Sequence, residues 1–327
     1  MKSLKILPLL LLVLSFSACK KEAENIFTMF KGVKVTFENR GPHAIVEDAV
    51  LNDGDSVNIY YTITSEDTDM FTVVIDSTKG NGDVEKRNIA TRESERRSYS
   101  GVIRHKMQRD GKTTFRISSL NEENNYVGDG YTSITVEGRP SYTHLANRKI
   151  YTHITRVEEG QSNDEGVVTG ERKTFLSLTT GETFNYQEAA ANSGKVDMGI
   201  YALGDDSEAN FGTAVFNLYS TNVAANPLPE LDMSGWEKRN TLFSAPITGA
   251  SGTYINNLVS SNMIQERAEG VDIDLTHTAI NETGKAFSPG NMFYFLTPEG
   301  KYGAIYVNQL SQDEIGAYLS VGIKIQN

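Results

Sequence analysis

From residue 27 onward the apolar residues of this chain recur at every second position, and that period restricts the fold more than any other feature. Val33, Val35 and Phe37 alternate with Lys34, Thr36 and Glu38, and Val57, Ile59, Tyr61 and Ile63 alternate with Asn58, Tyr60 and Thr62. In an extended chain successive side chains point to opposite faces, so each stretch turns an apolar face inward and a more polar one toward water. Phe71, Val73 and Ile75 repeat the device. Tyr99 to Arg104, Thr113 to Ser119 and Tyr131 to Val136 read as further strands. Turn formers separate them: Asn52-Asp53-Gly54, Gly80-Asn81-Gly82, Asp110-Gly111 and Gly128-Asp129-Gly130. Several short strands with turns between them predict a β-sandwich over residues 27–138.

Gly138-Arg139-Pro140-Ser141 interrupts the pattern with a proline that cannot donate to a β-ladder, which places a domain boundary there. Residues 139–327 then read as a second β-rich, sandwich-like domain with short helices. Lys149 to Thr155 and Thr174 to Leu178 are strands around a polar, acidic loop from Glu158 to Gly166. Thr180-Gly181-Glu182 is a turn, Tyr186 to Ala191 (YQEAAA) a short helix, and Val196 to Leu203 (VDMGIYAL) a strand apolar enough for burial on both faces. Between Thr253 and Arg267, Tyr254, Leu258 and Val259 keep a helical face that Ile264 leaves, so two short turns or an irregular helix are expected. Met292 to Leu296 and Tyr302 to Val307 flank Thr297-Pro298-Glu299-Gly300, where Pro298 suits the first central turn position and Gly300 the one with positive φ. Tyr318 to Ile325 is the last strand.

The first residues, MKSLKILPLLLLVLSFSACKK, read as an export signal: Lys2 and Lys5 precede the apolar Ile6 to Leu14, and small residues lead into Cys19. A membrane span needs about 20 apolar residues, and this run is broken by Pro8 and ends at Ser15. The stretch before Cys19 resembles the lipobox of bacterial lipoproteins. That resemblance implies a signal peptide over 1–18, a lipid on Cys19 and a polar tether over 19–26; the alternative is a simple secretory cleavage with Cys19 incidental. Cys19 is the only cysteine, so no intrachain disulfide can form and cohesion must come from buried apolar surface. With 327 residues and 39% hydrophobic content, two ordinary cores can be built. A net charge of −11 argues against nucleic acid as a partner, and the densest basic stretch, Arg92 to Arg97, is interrupted by Glu93 and Glu95.

The chemistry-bearing motifs sought are absent: no His-Glu-x-x-His, no phosphate loop, and no Gly-x-Ser-x-Gly elbow, Thr253 standing where the last glycine should be. His43, His105, His144, His153 and His277 are scattered, which predicts surface or strand-edge positions. Asp272 and Asp274 share one face of a strand, and Asp205, Asp206 and Glu208 crowd a turn, so either group could offer oxygens to Ca²⁺; a solvated face and a polar turn are the plainer reading. No cofactor and no enzymatic activity are expected. Trp236, the only tryptophan, lies in NPLPELDMSGWEKRN, a stretch too rich in Pro and Gly for a strand interior. It either plugs the loop onto the core or offers a stacking face to a ligand such as a sugar, the plug being favoured.

Three stretches carry a wider resemblance: LNDGDSVNIYYTIT with TTFRISSL and YTSITVEG, then YQEAAANSGKVD, then FYFLTPEGKYGAIYVNQL with YLSVGIKIQ. Together with the Cys19 region they resemble cell-envelope lipoproteins of Bacteroidota with an N-terminal Ig-like module and a C-terminal β-rich domain of unassigned activity. The resemblance implies an outer-membrane lipoprotein on the periplasmic or surface face, attached by its lipid, whose role is binding or interaction with a glycan or a surface protein. The alternative it leaves open is a glycan-binding accessory lipoprotein of a polysaccharide-uptake system.

Overall fold

The computed structural model describes residues 32–155, 165–203, 215–278 and 288–327. The export signal, Cys19, the tether, and Asp205, Asp206 and Glu208 lie outside these residues, as does the acidic loop up to residue 164. The protein is mostly β, with nineteen strands among the described residues. The described residues divide into two compact units, one formed by residues 32–50 with Ser56–Lys106 and Lys112–Glu137, the other by those from Gly138 onward with the turns Leu51–Asp55 and Met107–Gly111.

The first unit contains β1 (Val33–Glu38), β2 (Ala49–Leu51), β3 (Ser56–Ser65), β4 (Thr72–Lys79), β5 (Val84–Ala90), β6 (Ser98–Lys106), β7 (Gly111–Leu120) and β8 (Tyr126–Gly138). One sheet runs β1-β3-β6 and the other β2-β8-β7-β4-β5. Of the main strands β1, β3, β4, β6, β7 and β8, the first, second and fourth share one sheet and the rest the other, which is the partition of an Ig-like sandwich. The period-two pattern is realised in β3, where Val57, Ile59, Tyr61 and Ile63 are all buried and the residues between them are not. Tyr61 lies opposite Gly101, and a Cβ there would stand 2.5 Å from the Tyr61 hydroxyl, so the ring needs the glycine.

Two readings change here. Gly128-Asp129-Gly130 is not a turn but part of β8, the reversal lying earlier at Asn121–Asn125, where Asn124 has φ 64°. Gly128 has φ 81° and a Cβ on it would meet Val33 at 2.1 Å, so this glycine serves close packing inside a strand. β5 has no apolar alternation; its residues VEKRNIA are mostly exposed and its pairing comes from β4.

The second unit holds β9 (Tyr142–Tyr151), β10 (His153–Thr155), α1 (Glu165–Thr169), β11 (Phe175–Leu176), β12 (Thr183–Phe184), α2 (Tyr186–Ala191), β13 (Met198–Leu203), β14 (Val215–Ser220), β15 (Leu242–Ser244), α3 (Ser261–Ala268), β16 (Ile273–Leu275), β17 (Met292–Leu296), β18 (Tyr302–Gln312) and β19 (Ala317–Gln326). An antiparallel sheet runs β16-β15-β17-β18-β19-β9; a second sheet runs β10-β13-β11-β12, with β14 on β13. Their facing sides form one core, to which Phe293, Phe295, Leu319 and Val321 contribute from the first sheet and Met198, Ile200, Phe216 and Leu218 from the second.

Each sheet is covered on its other side as well. Met292 and Tyr294 of β17 turn away from Phe293 and Phe295 into a cluster with Tyr254, Leu258, Ile264 and Ala268. Tyr201 of β13 turns away from Ile200 into a cluster with Phe175, Tyr219, Leu231 and Trp236. Strands β13 and β17 therefore read as apolar throughout because both of their faces are dry. The irregular helix of 253–267 is a π-helical turn over Thr253–Asn257 followed by α3, which Ser260 caps by accepting from the Met263 amide at 3.3 Å. The predicted hairpin forms between β17 and β18: the Gly300 amide donates to Thr297 O at 2.9 Å, and Gly300 has φ 78°.

Candidate functional site

An open cleft of about 500 Å³ lies within the second unit, where β9 comes beside the segment joining β11 to α2. Arg148 reaches it from β9, in register with Val321 of β19. The opposite wall is the turn Thr180-Gly181-Glu182, closed by the Gly181 amide donating to Ser177 O at 2.8 Å and the Ser177 amide to Glu182 O at 2.9 Å. Gly181 has φ 70°, and a Cβ on it would lie 2.8 Å from Arg148 Nε. The position thus requires glycine both for its backbone and for the room the guanidinium occupies.

The remaining wall is α2. Asn185 caps it by accepting from the Glu188 amide at 2.9 Å, while Glu188 accepts from the Asn185 amide at 3.0 Å, a reciprocal capping box. Glu188 also receives Lys173 Nζ at 3.3 Å. Glu182, the second carboxylate of the cleft, accepts from the Thr180 hydroxyl at 3.2 Å. Both acids and Lys173 therefore have partners inside the protein. Arg148 has none among the described residues, and its Nε is buried without an acceptor. Thr183 and Asn192 complete a lining of hydroxyl and amide groups.

A second polar constellation lies on the outer face of the β10–β13–β14 sheet. Parallel pairing sets His153 beside Tyr201, and antiparallel pairing sets Tyr201 beside Asn217, so all three project from one face. His153 is 1% exposed, and its Nε2 lies 2.6 Å from Glu230 Oε1. Tyr219 crosses Gly199, which has no side chain to obstruct it, and packs 5.9 Å from the Tyr201 ring. Burial, followed by the charge of Glu230, raises the Tyr219 phenol above its ordinary range. Most of the histidines are expected at surfaces or strand edges; His153 lies on β10, the end strand of its sheet, but is buried because residues 221–239 fold over the face that carries it. His153 ties that segment to the sheet through Glu230.

Arg239 fixes the end of the same segment. Its Nε donates to Asp197 Oδ1 at 2.8 Å and its NH2 to Glu299 at 2.7 Å. Asp197 is fully buried and also accepts from Thr241 Oγ1 at 2.8 Å and the Leu178 amide at 2.7 Å. The Arg239 contact holds the Glu299 carboxyl down at about 2.

Trp236 plugs this segment onto the core. It is 9% exposed, 5.0 Å from the Phe175 ring and stacked at 5.9 Å on Tyr186, so its faces are taken by the protein and a ligand-stacking role is set aside. Asp272 and Asp274 are exposed and flank Ile273 on β16. Among the described residues no group of three or more His, Cys, Asp or Glu is placed to hold a metal ion. Sequence reading did not single out Arg148, Lys173 or Glu188; its traces of the cleft are the turn containing Gly181 and the short helix Tyr186–Ala191. A scan against models of known protein families matches none of them, and a search of curated proteins finds no match.

Proposed function

We propose that this chain is an exported, lipid-anchored binding protein of the cell envelope, in which the Ig-like unit is a spacer and the C-terminal unit carries the recognition surface. The observation that carries this reading is the cleft: a guanidinium without a protein partner, held on a strand framework and facing open space beside a hydroxyl- and amide-lined wall. Binding sites pair a rigid scaffold with a few convergent polar groups, and this cleft has both. The export signal ending at Cys19 supplies the address.

The hydroxyl and amide lining favours a second, narrower reading, a glycan-binding accessory lipoprotein of a polysaccharide-uptake system. Both readings are tested by immobilising the full chain in mild detergent and passing envelope extract and plant and host glycans over it. Selective retention, reduced by Arg148→Gln, is the expected result; retention equal to that of a blank support would end the binding reading. Labelled fatty acid should enter the wild-type chain and not Cys19→Ala, and equal labelling of the two would remove the anchor.

A further inference from the structure

We infer that the cleft between β9 and α2 takes the carboxylate of an acidic sugar, with Arg148 as the group that receives it. The inference rests on the reading of the C-terminal unit as the recognition unit and adds the class of ligand. Charge decides the first half of the argument. The cleft holds two cations and two acids, but Glu188 is neutralised by Lys173 and held by the Asn185 amide, and Glu182 is bonded to Thr180. Arg148 is the cation of the cleft that has no carboxylate partner among the described residues. A guanidinium presents a planar fork that matches a carboxylate with two parallel N–H···O bonds. Gly181 leaves the room the Arg148 guanidinium occupies, since a Cβ there would stand 2.8 Å from Nε.

The rest of the lining decides the second half. Thr180, Thr183 and Asn192 make the lining polar, with Thr180 Oγ1 bonded to Glu182 and Asn192 Nδ2 donating to Glu188 O, and the one apolar member, Phe184, is only 8% exposed. An apolar peptide side chain would find no pocket here, whereas the hydroxyls of a sugar ring would meet a polar wall that includes the Thr183 hydroxyl and the Asn192 side-chain carbonyl. A volume of about 500 Å³ accommodates one or two such rings.

The test is calorimetric titration of the full chain in mild detergent with trigalacturonate, with galactotriose of the same linkage, and with triglutamate. Trigalacturonate should bind about tenfold or more tightly than galactotriose, the discrimination expected of one charge-assisted bidentate contact. Arg148→Gln should abolish that preference and Arg148→Lys retain part of it, both variants being checked for a wild-type circular-dichroism spectrum. For the wild type alone, the preference should shrink when NaCl is raised to about 0.5 M. Equal affinity for the charged and neutral sugars, no binding of either, or a preference unmoved by salt would overturn the inference. Triglutamate binding as tightly as trigalacturonate would also overturn it, by assigning the guanidinium to peptide carboxylates. None of these outcomes bears on retention of envelope material, which judges the binding reading separately.

Discussion

Lys324 carries an ammonium group into the apolar layer between β19 and the π-helical turn. It is 4% exposed and donates to Tyr254 O at 2.6 Å and Leu258 O at 2.8 Å, with the Tyr254 and Tyr142 rings 4.6 and 5.5 Å away. The lysine thereby supplies donors to carbonyls at the end of a helical turn. Burial draws its pKa down from 10.5 to about 8, and no carboxylate among the described residues pairs with it. Below pH 8 both folded and unfolded chains hold the proton, and the folded chain bears a penalty on the order of 3 kcal/mol. Between about 8 and 10.5 the folded chain releases the proton while the unfolded one keeps it, so stability rises with pH. Above about 10 the sign reverses, because burial raises the phenols of Tyr61, Tyr219 and Tyr254, and the unfolded chain then loses protons first. Urea midpoints should therefore climb from pH 7 to 9.5 and fall by pH 11. Lys324→Met should flatten the climb and leave the fall; an unchanged climb would place its source elsewhere. Trp236 gives a second expectation at this scale. Its emission should be blue-shifted and poorly quenched by acrylamide, and Trp236→Ala should cost about 3–5 kcal/mol in urea unfolding. The sequence left plug and platform both open for this residue, since a Pro- and Gly-rich loop can turn an aromatic either way until its partners, Phe175 and Tyr186, are brought to it.

Among the elements, the segment 221–239 has no strand or helix of its own and depends on three side-chain ties to the sheet: Trp236, the His153–Glu230 contact, and Arg239. The two ends of the Arg239 bridge differ in kind. Asp197 is fully buried with three donors on it, so Asp197→Ala leaves a guanidinium facing a dry pocket and should cost about 3–5 kcal/mol. Glu299 is half exposed, so Glu299→Ala should cost under about 1 kcal/mol. The Glu299 carboxyl is depressed from 4.5 to about 2, so its contribution is present above pH 4.5 and is lost as pH falls through 2. Urea unfolding of both variants at pH 7 and of the wild type down the acid limb checks the order; equal costs would refute it. Elements with a local cause were legible in the sequence: β3 from its alternation, α2 from the helix-prone run YQEAAA, and the β17–β18 hairpin from Pro298 and Gly300. The cleft was not. Arg148 comes to it because β9 pairs with β19 at the far end of the chain, and no short-range signal encodes a partner more than 160 residues away. β5 escaped for the opposite reason, since an exposed edge strand needs no apolar face.

At the scale of the whole molecule, the two units use their sheets differently. In β3 of the Ig-like unit buried and part-exposed residues alternate without a break, while Val73 to Ile75 of β4 are buried in a row. The C-terminal unit has strands dry on both sides, β13 and β17, and four consecutive residues of β17, Met292 to Tyr294 with Phe295, are all buried. In a saturation library selected for folded protein, β3 should appear as stripes, with Val57, Ile59, Tyr61 and Ile63 intolerant and their neighbours permissive. β17 and β13 should appear as solid blocks, and β5 should accept most substitutions except proline; stripes in β17 would contradict its two buried faces. It follows that the two halves have unequal freedom to diverge. A lineage can rewrite half of β3 without touching its interior, while the doubly covered strands admit almost no independent change and must alter in concert with the layers on either side. Recognizable vestiges of common ancestry should therefore persist longest in MFYFL and MGIYAL, the stretches a search for distant kin would do best to begin from.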